Sequence, residues 1–315
     1  TNWAMVNGTA MLRIFRTILP RAKSFLISTM LPHFVKLLLF PYIYQYTKNK
    51  ELSQPREDFL LVTMVSGTTK NLVMLYVIII NEKNVGKDVW MSFRTKKEIM
   101  EVLALPAEEF NQTVRAEAEA ELRRVKDNKA TIFGLVGVSN ICRNMCTYCG
   151  MRAGNTLLPR YRLTISEIEE IIVKAKAVGI KRLFLISGED PALTPNYLVQ
   201  IVEKSKDANL FLSMAMGEQS FATYQALKDA GLDEYVLKFE TANPELFSKI
   251  KPSTTFQQRM QAIEAIKTVG LRLGSGNIID FPGQTMENLA DDLLLMMDLE
   301  INWAPVIPYN PVPNT

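Results

Sequence analysis

The chain has 315 residues, 48% of them hydrophobic, which is enough to bury the core of one large α/β domain or two small ones. A net charge of only +3 argues against nucleic acid as a partner. All three cysteines lie in one short segment, so a disulfide framework is excluded. A reducing compartment, the cytoplasm or an organelle matrix, is expected.

Residues 1–92 differ from the rest of the chain. They carry seven basic residues and no acidic residue before Glu51, and the stretch from Met11 has the composition of an organellar transit peptide. The apolar run 24–46 suits a membrane segment, although a lysine, a histidine and two prolines inside it disfavour a span. A third reading is upstream sequence with no selected fold. We therefore assign 1–92 as an extension of unknown structure that precedes a domain at 93–315.

The domain at 93–315 opens with a helical pattern and then a strand. Thr95–Lys129 is charged and alanine-rich, which predicts helix packed against one end of the fold. Thr131–Val138 is a continuous apolar run of strand length, as expected for a parallel strand buried on both faces.

The segment after this strand holds Cys142, Cys146 and Cys149 at C-x3-C-x2-C spacing. Iron–sulfur clusters normally take four thiolates, so three on one loop can hold three corners of a 4Fe–4S cube. The fourth iron is then open to a small molecule. A structural zinc site needs four ligands, and the only histidine, His33, lies far upstream. Three buried structural thiols would not explain why all the cysteines are so close together. The spacing therefore predicts a 4Fe–4S cluster.

Helical patterns alternate with strands over the remainder. Four helices end in glycine or asparagine, which adopt the left-handed conformation that terminates a helix. Capping-box pairs start two helices, and one of these helices has an apolar face at helical spacing. The helix ends are Gly179, Asn209, Gly231 and Gly270; the capping pairs are Ser166 with Glu169 and Thr255 with Gln258; the apolar face is Ile168, Ile171, Ile172, Ala175 and Val178.

This alternation predicts an α/β fold, a (β/α) TIM-type barrel of parallel strands. A closed barrel of this type has more strands, so the sequence predicts a barrel truncated after its sixth strand, with an exposed sheet edge. The strands after the first are Arg182–Ser187, Leu210–Met214, Tyr235–Glu240, Leu271–Ile279 and Trp303–Ile307.

Functional residues in such barrels lie in the loops that follow the strands. Ser187-Gly188-Glu189 follows the second strand, where Gly188 allows backbone to approach a ligand and backbone carbonyls could accept from an ammonium group. The alternative is an acidic turn before a helix that starts near Pro195. Glu218 follows the third strand, but it equally suits the first turn of the next helix.

Glu240 closes the otherwise apolar fourth strand, where an unpaired carboxylate is costly, so a basic partner or a cationic ligand is expected. Arg259 on the following helix is a candidate, since its guanidinium suits a carboxylate. The alternative for Arg259 is a solvated surface charge. Gly274 and Gly276 on the fifth strand indicate close approach of backbone or of a ligand.

Several of these motifs are typical of a known group of enzymes. The cysteine spacing, with aromatic Tyr148 before the last cysteine, resembles the radical S-adenosylmethionine superfamily. Further motifs, in the same order, resemble the HydE family of iron-only (FeFe) hydrogenase maturases over about residues 94–315, and not over the first 92. These motifs are Cys146–Arg152, Tyr161–Thr164, Ser187–Pro191, Glu240–Pro244 and Phe281–Thr285.

The resemblance implies a 4Fe–4S cluster whose open iron binds S-adenosylmethionine and whose reduced form cleaves it to a 5′-deoxyadenosyl radical. Ser187-Gly188-Glu189 would correspond to the Gly-Gly-Glu motif that holds the methionine amine, with serine for the first glycine. Arg259 would contact the cofactor carboxylate, and Gly276 would lie near its adenosine. The cofactor-binding residues implied are Tyr148, Ser187, Gly188, Glu189, Glu240, Arg259 and Gly276.

The same resemblance implies the partners. They are a reductant such as a ferredoxin or flavodoxin, a small-molecule or organometallic precursor of the hydrogenase diiron unit, and other hydrogenase maturation proteins. Lys238-Phe239 stands where the family usually has Arg-His, which leaves the substrate open. Enzymes resembling 3-methylornithine synthase or biotin synthase are alternatives. A non-catalytic iron–sulfur electron carrier is an alternative of another class, although it would need no Arg259 to hold a cofactor carboxylate.

Overall fold

The computed structural model describes residues 62–66, 73–77, 95–126 and 133–315. Strands β1 (Val62–Ser66) and β2 (Val73–Val77) form an antiparallel hairpin. The predicted transit peptide, the apolar run 24–46 and His33 lie outside the described residues, and the boundary at 92/93 stays a prediction. Within the part of the chain that is described, no helix combines the length and hydropathy needed to cross a membrane.

The charged stretch predicted as helix forms three helices. These are α1 (Lys96–Leu103), α2 (Ala107–Gln112) and α3 (Val114–Lys126). Pro106, the N-cap of α2, separates the first two because a proline has no backbone N–H to continue a helix.

Strands and helices then alternate along the chain. Strands β3 to β7 form one sheet in sequence order with every neighbouring pair parallel. Beyond β7, Gly274 bridges Trp303 and β8 pairs with β9, again in parallel. The predicted α/β fold with a parallel sheet is confirmed. The elements are β3 (Gly134–Ser139), α4 (Ile165–Ala177), β4 (Arg182–Ser187), α5 (Pro195–Asp207), β5 (Phe211–Ala215), α6 (Phe221–Asp229), β6 (Glu234–Val236), α7 (Pro244–Ile250), α8 (Phe256–Thr268), β7 (Arg272–Gly274), β8 (Ile278–Ile279), α9 (Met286–Asp298) and β9 (Ile307–Pro308).

The helix ends match the sequence pattern closely. Gly179, Asn209, Gly231 and Gly270 all have positive φ, as predicted. The capping box of Thr255 with Gln258 at the start of α8 is also confirmed.

Two details of α4 were predicted wrongly. Its N-cap is Thr164, paired with Glu167, rather than Ser166. The Leu163 N–H still donates to the Val138 carbonyl at 2.8 Å, so the helix begins as soon as the chain leaves the sheet. Val178 is 62% exposed because it is the C-cap, where the chain leaves the helical path that buries the other four predicted apolar residues.

One face of the sheet forms the core with the helices. Leu185, Met214, Tyr235 and Leu273 occupy matched positions on β4 to β7, and each is at most 2% exposed. Burying side chains of this size stabilises the fold by about 1.5–3 kcal/mol each. The same apolar cluster includes Ile168, Ile171, Leu198, Ile201, Leu227, Ile263 and Ile266 from the helices.

The fourth and fifth predicted strands are interrupted near their ends. The β6 ladder stops at Val236, and Glu240 has φ 69°, outside the range of a strand. The Glu240 N–H donates to the Gly276 carbonyl at 3.0 Å, and the Ile278 N–H donates to the Glu240 carbonyl at 2.9 Å. Glu240 is therefore fixed on both sides by the segment that joins β7 to β8.

Candidate active site

The cysteine loop lies at the C-terminal end of β3 and packs on the end of β4. A Cβ atom at Gly188 would lie 2.2 Å from the Ile141 carbonyl oxygen and 2.6 Å from Cys142 Cβ, so only glycine fits there. The Arg143 N–H donates to the Glu189 carbonyl at 3.1 Å, and the Glu189 N–H points back to Cys142 Sγ at 3.4 Å. The ends of β3 and β4 therefore meet at the cysteine loop.

Arg160 holds the two sides of the loop together. Its guanidinium donates to four backbone carbonyls, before and after the cysteines, at 2.6–3.0 Å. Arg160 was not predicted from the sequence, because an arginine in a loop carries no pattern that indicates backbone carbonyls as partners. The acceptors are Asn140, Met151, Arg152 and Asn155.

The loop is also tied to the segment after α7. The Thr147 N–H donates to the Ile250 carbonyl at 2.9 Å, and the Met145 N–H donates to Ser253 Oγ at 2.8 Å. The cysteine backbone is thus positioned by contacts that involve no sulfur atom.

The thiols lie in a partly desolvated environment. Burial raises the pKa of Cys146, against the opposing positive charge of Lys251, and burial likewise raises the pKa of Cys149. Cys142 Sγ lies 3.4 Å from the backbone N–H groups of both Asn144 and Glu189. N–H donors aimed at sulfur suit thiolates that carry metal. No three histidine, cysteine or acidic side chains of the described residues are grouped closely enough to hold a single metal ion.

Glu189 is held between the cysteine loop and the end of β5. A Cβ at Gly217, which has φ +76°, would lie 1.9 Å from Glu189 Cγ, so this glycine makes room for the carboxylate. Glu189 Oε1 accepts from the Glu218 N–H at 3.3 Å and lies 3.9 Å from Lys251 Nζ. Ser187 Oγ donates to the Gly188 carbonyl at 2.7 Å. The cofactor roles of these residues stay predictions.

Arg259 pairs with a different carboxylate from the one expected. Its Nε lies 2.8 Å from Glu218 Oε1, without the alignment of a hydrogen bond, and its Nη1 donates to the Lys238 carbonyl at 3.0 Å. The prediction that Arg259 partners Glu240 was therefore wrong. The surface-charge alternative was wrong too, because Arg259 is only 2% exposed. Among the described residues, its buried Nη2 has no hydrogen-bond partner.

Glu240 is paired instead with Lys238, two residues earlier on the same segment. Lys238 Nζ lies 3.2 Å from Glu240 Oε2, and Glu240 is 7% exposed. Burial and the adjacent negative charge of Glu240 hold the pKa of the Tyr148 hydroxyl well above its usual value. Tyr148 and Glu240 therefore lie close together, and their roles toward a cofactor stay predictions.

A buried polar network beneath Glu240 was not predicted. Asp292, on α9, accepts from the Ala242 N–H at 2.5 Å and from Asn277 Nδ2 at 2.7 Å. Burial raises the pKa of Asp292 to about 6. The network fixes the turn after Glu240. In the sequence, the sign of this network is an aspartate within an apolar helical pattern.

The paired glycines accommodate the chain's own atoms. A Cβ at Gly276 would lie 2.4 Å from the Pro305 carbonyl oxygen, and one at Gly274 would lie 2.6 Å from Trp303 Nε1. At Gly276 this is the predicted close approach of backbone, whereas the close neighbours of Gly274 are side chains. The place of Gly276 near adenosine stays a prediction.

Fold and site together have the arrangement of a cofactor-dependent radical enzyme: a three-cysteine loop with carboxylates and a buried arginine at neighbouring ends of parallel strands. The Radical SAM superfamily model matches residues 136–296, more than half of the chain, so the protein belongs to this superfamily.

The chain is also similar in sequence to individual enzymes. The chain is similar to the FeFe hydrogenase maturase subunit HydE of Thermotoga maritima, 34% identical over 221 residues that cover 70% of this chain and 64% of the maturase. It is 26% identical to biotin synthase of Ectopseudomonas mendocina over 208 residues, 64% of this chain and 58% of that protein. The chain therefore spans less than two thirds of the length of these relatives.

A solved structure shares the fold. The crystal structure of methylornithine synthase (PylB) matches with a TM-score of 0.67 at 24% identity, over 72% of this chain and 68% of that chain.

Proposed function

We propose that this protein is a HydE-type radical S-adenosylmethionine enzyme that acts in assembly of the FeFe-hydrogenase active-site cluster. The observation that carries the proposal is the packing of the cysteine loop on the end of β4. There the Glu189 N–H faces Cys142 Sγ, and Gly188 leaves no space for a side chain. The similarity to HydE supports the particular activity.

The residues of the site fit a 4Fe–4S cluster with a bound cofactor. Cys142, Cys146 and Cys149 would ligate three irons, since their loop is shaped by backbone hydrogen bonds and supplies N–H donors to sulfur. When bound and reduced, the cluster supplies the electron that cleaves S-adenosylmethionine to methionine and a 5′-deoxyadenosyl radical. The raised pKa values of Cys146 and Cys149 mean that metal must displace their protons.

Buried groups without full partners would orient the cofactor. Arg259 Nη2 is buried and unpartnered among the described residues, so a carboxylate there would supply the missing acceptor. Glu218 holds the guanidinium in place, so the arginine is preorganised rather than free to rotate. Ser187-Gly188-Glu189 would receive the methionine amine, and Glu240 with Tyr148 would face the rest of the cofactor. An electron carrier has no use for such groups, which weighs against that alternative.

The partners follow from the proposed chemistry. A one-electron donor such as a ferredoxin or flavodoxin would reduce the cluster, and a small-molecule or organometallic precursor of the diiron unit would be the substrate. Lys238 and Glu240 give this part of the site one cation and one anion, which suits a polar substrate.

The test is anaerobic reconstitution of the full-length gene product, followed by an assay for 5′-deoxyadenosine with S-adenosylmethionine and dithionite. We expect cleavage in the wild type and its loss in Cys142→Ala, Cys146→Ala and Cys149→Ala. Met145→Ala is the matched control, because Met145 lies in the same loop and is 38% exposed. Full activity in any cysteine variant would refute the ligand assignment.

A second assay identifies the reaction. The gene should restore hydrogenase activity to a host that lacks its HydE. Turnover of lysine to 3-methylornithine, or of dethiobiotin to biotin, without hydrogenase rescue would replace the HydE assignment with one of the alternative enzymes.

A further inference from the structure

Lys251 is a buried lysine that the proposed mechanism does not use. It follows α7 directly and is only 5% exposed. Its Nζ lies 3.6 Å from Cys146 Sγ and 3.9 Å from the nearer oxygen of Glu189. Within the described part of the chain, the contact with Cys146 Sγ is the one hydrogen bond that this ammonium makes.

A buried ammonium is costly unless a negative group lies close to it. The Glu189 carboxylate is beyond hydrogen-bond distance, and it also accepts from the Glu218 N–H. Glu189 at 3.9 Å gives Lys251 a long ion pair, and a cysteine that ligates iron is a thiolate, so Cys146 as a cluster ligand would add a negative group at hydrogen-bond distance. The surroundings of Lys251 are therefore best satisfied when Cys146 carries metal.

The position of the ammonium is fixed relative to the loop. The Lys251 N–H donates to the Phe247 carbonyl at 2.8 Å, at the end of α7. The neighbouring residue Ile250 accepts from the Thr147 N–H at 2.9 Å, next to Cys146 in sequence. The end of α7 is thus joined to the cysteine loop, and the lysine is not an exposed surface charge.

We infer that Lys251 is a positioning and tuning residue whose ammonium makes the cluster easier to reduce. The inference rests on the proposed function, since it requires a cluster on Cys146. Reduction adds one electron from the ferredoxin-type donor and no proton, and the added negative charge is spread over the iron and sulfur atoms. A fixed positive charge and an N–H donor at one sulfur stabilise the reduced form more than the oxidised form.

The experiment is a potentiometric titration of the reconstituted full-length protein, followed by electron paramagnetic resonance of the reduced cluster. Lys251→Met removes charge and donor with little loss of volume. Lys251→Gln removes the charge and keeps an N–H donor on a shorter side chain. Lys249→Met is the matched control, because it removes an exposed charge from the same helix end.

We expect the reduced-to-oxidised ratio of the Lys251→Met cluster to fall at least tenfold at a fixed potential, a shift of about 59 mV to lower potential for a one-electron couple. Lys251→Gln should fall between this variant and the wild type, and Lys249→Met should match the wild type. A cluster with wild-type potential in Lys251→Met would overturn the inference and leave the proposed function standing.

Other outcomes are equally decisive. If the wild type assembles no 4Fe–4S cluster, the proposed function fails and takes this inference with it. If Lys251→Met loses iron, the reduction potential of the Lys251→Gln cluster decides: a value below that of the wild type supports the tuning role, and a wild-type value rejects it. If both lose iron while far-UV circular dichroism is unchanged, Lys251 acts in cluster assembly and the tuning role is rejected.

Discussion

Replacing Arg259 by alanine should weaken binding of S-adenosylmethionine while leaving the iron content unchanged. Arg259 lies on α8, outside the cysteine loop in sequence, and its buried Nη2 has no partner among the described residues. A hydrogen bond between charged groups contributes about 1.5–3 kcal/mol, so the affinity should fall by about tenfold to a hundredfold.

The same change should also destabilise the fold. It leaves the Lys238 carbonyl without its 3.0 Å donor and Glu218 without its cation. Breaking a buried ion pair costs about 3–5 kcal/mol. The lower end of that range applies here, because the Glu218 side chain is 18% exposed and keeps the Thr254 hydroxyl at 2.9 Å.

Two measurements separate the effects. Anaerobic isothermal titration calorimetry on reconstituted protein gives the cofactor affinity, and urea unfolding gives the stability. Glu218→Gln is the control, since it removes the negative charge of the same ion pair but keeps Arg259 and an oxygen beside it; it should lower stability and retain most of the affinity. Unchanged affinity in Arg259→Ala would refute the reasoning and make Arg259 a structural partner of Glu218 only.

Three further predictions follow from the fold and the site. The pKa of Asp292, raised from 3.8 to about 6, makes the free energy of unfolding fall as pH rises through that window, by about 3 kcal/mol in total. Asp292→Asn should remove this slope in urea titrations at pH 4.5 and 7, and equal slopes in both proteins would contradict it. Arg160→Met should destabilise the folded conformation of the cysteine loop by an amount on the order of 3 kcal/mol, so a protease should cut the loop faster. Arg143→Met is the control: the Arg143 side chain is 62% exposed, so this change should not alter the rate of proteolysis. Deleting residues 1–92 from the full-length protein should leave cofactor cleavage intact, and loss of cleavage would place that segment in the enzyme.

Most of the fold could be predicted because local patterns agreed with the global arrangement. β4 has its predicted bounds, because its apolar run lies between a helix-ending glycine and a proline-containing turn, which fix where the strand begins and ends. The predicted N-cap of α4 was two residues too late, because Thr164 with Glu167 and Ser166 with Glu169 both satisfy the capping pattern. The contact of Leu163 with β3 decides between them, and it is not visible in sequence.

For the site, the sequence correctly predicted that the cysteine loop follows β3 and that backbone approaches closely at Gly188. The site was not predictable where the choice of partner depends on which strand ends meet. Glu240, which has a left-handed backbone, pairs with Lys238, and Arg259 on α8 pairs with Glu218. A non-glycine residue at φ 69° has no signature in the sequence.

The contacts that shape the cysteine loop bear on how the protein survives oxygen. Arg160 and the end of α7 hold the loop through carbonyl and amide groups, none of which oxygen attacks when it destroys an iron–sulfur cluster. Iron loss would then leave a folded backbone with three thiols in place. Reassembly of the proposed cluster would then start from a loop that already has its shape.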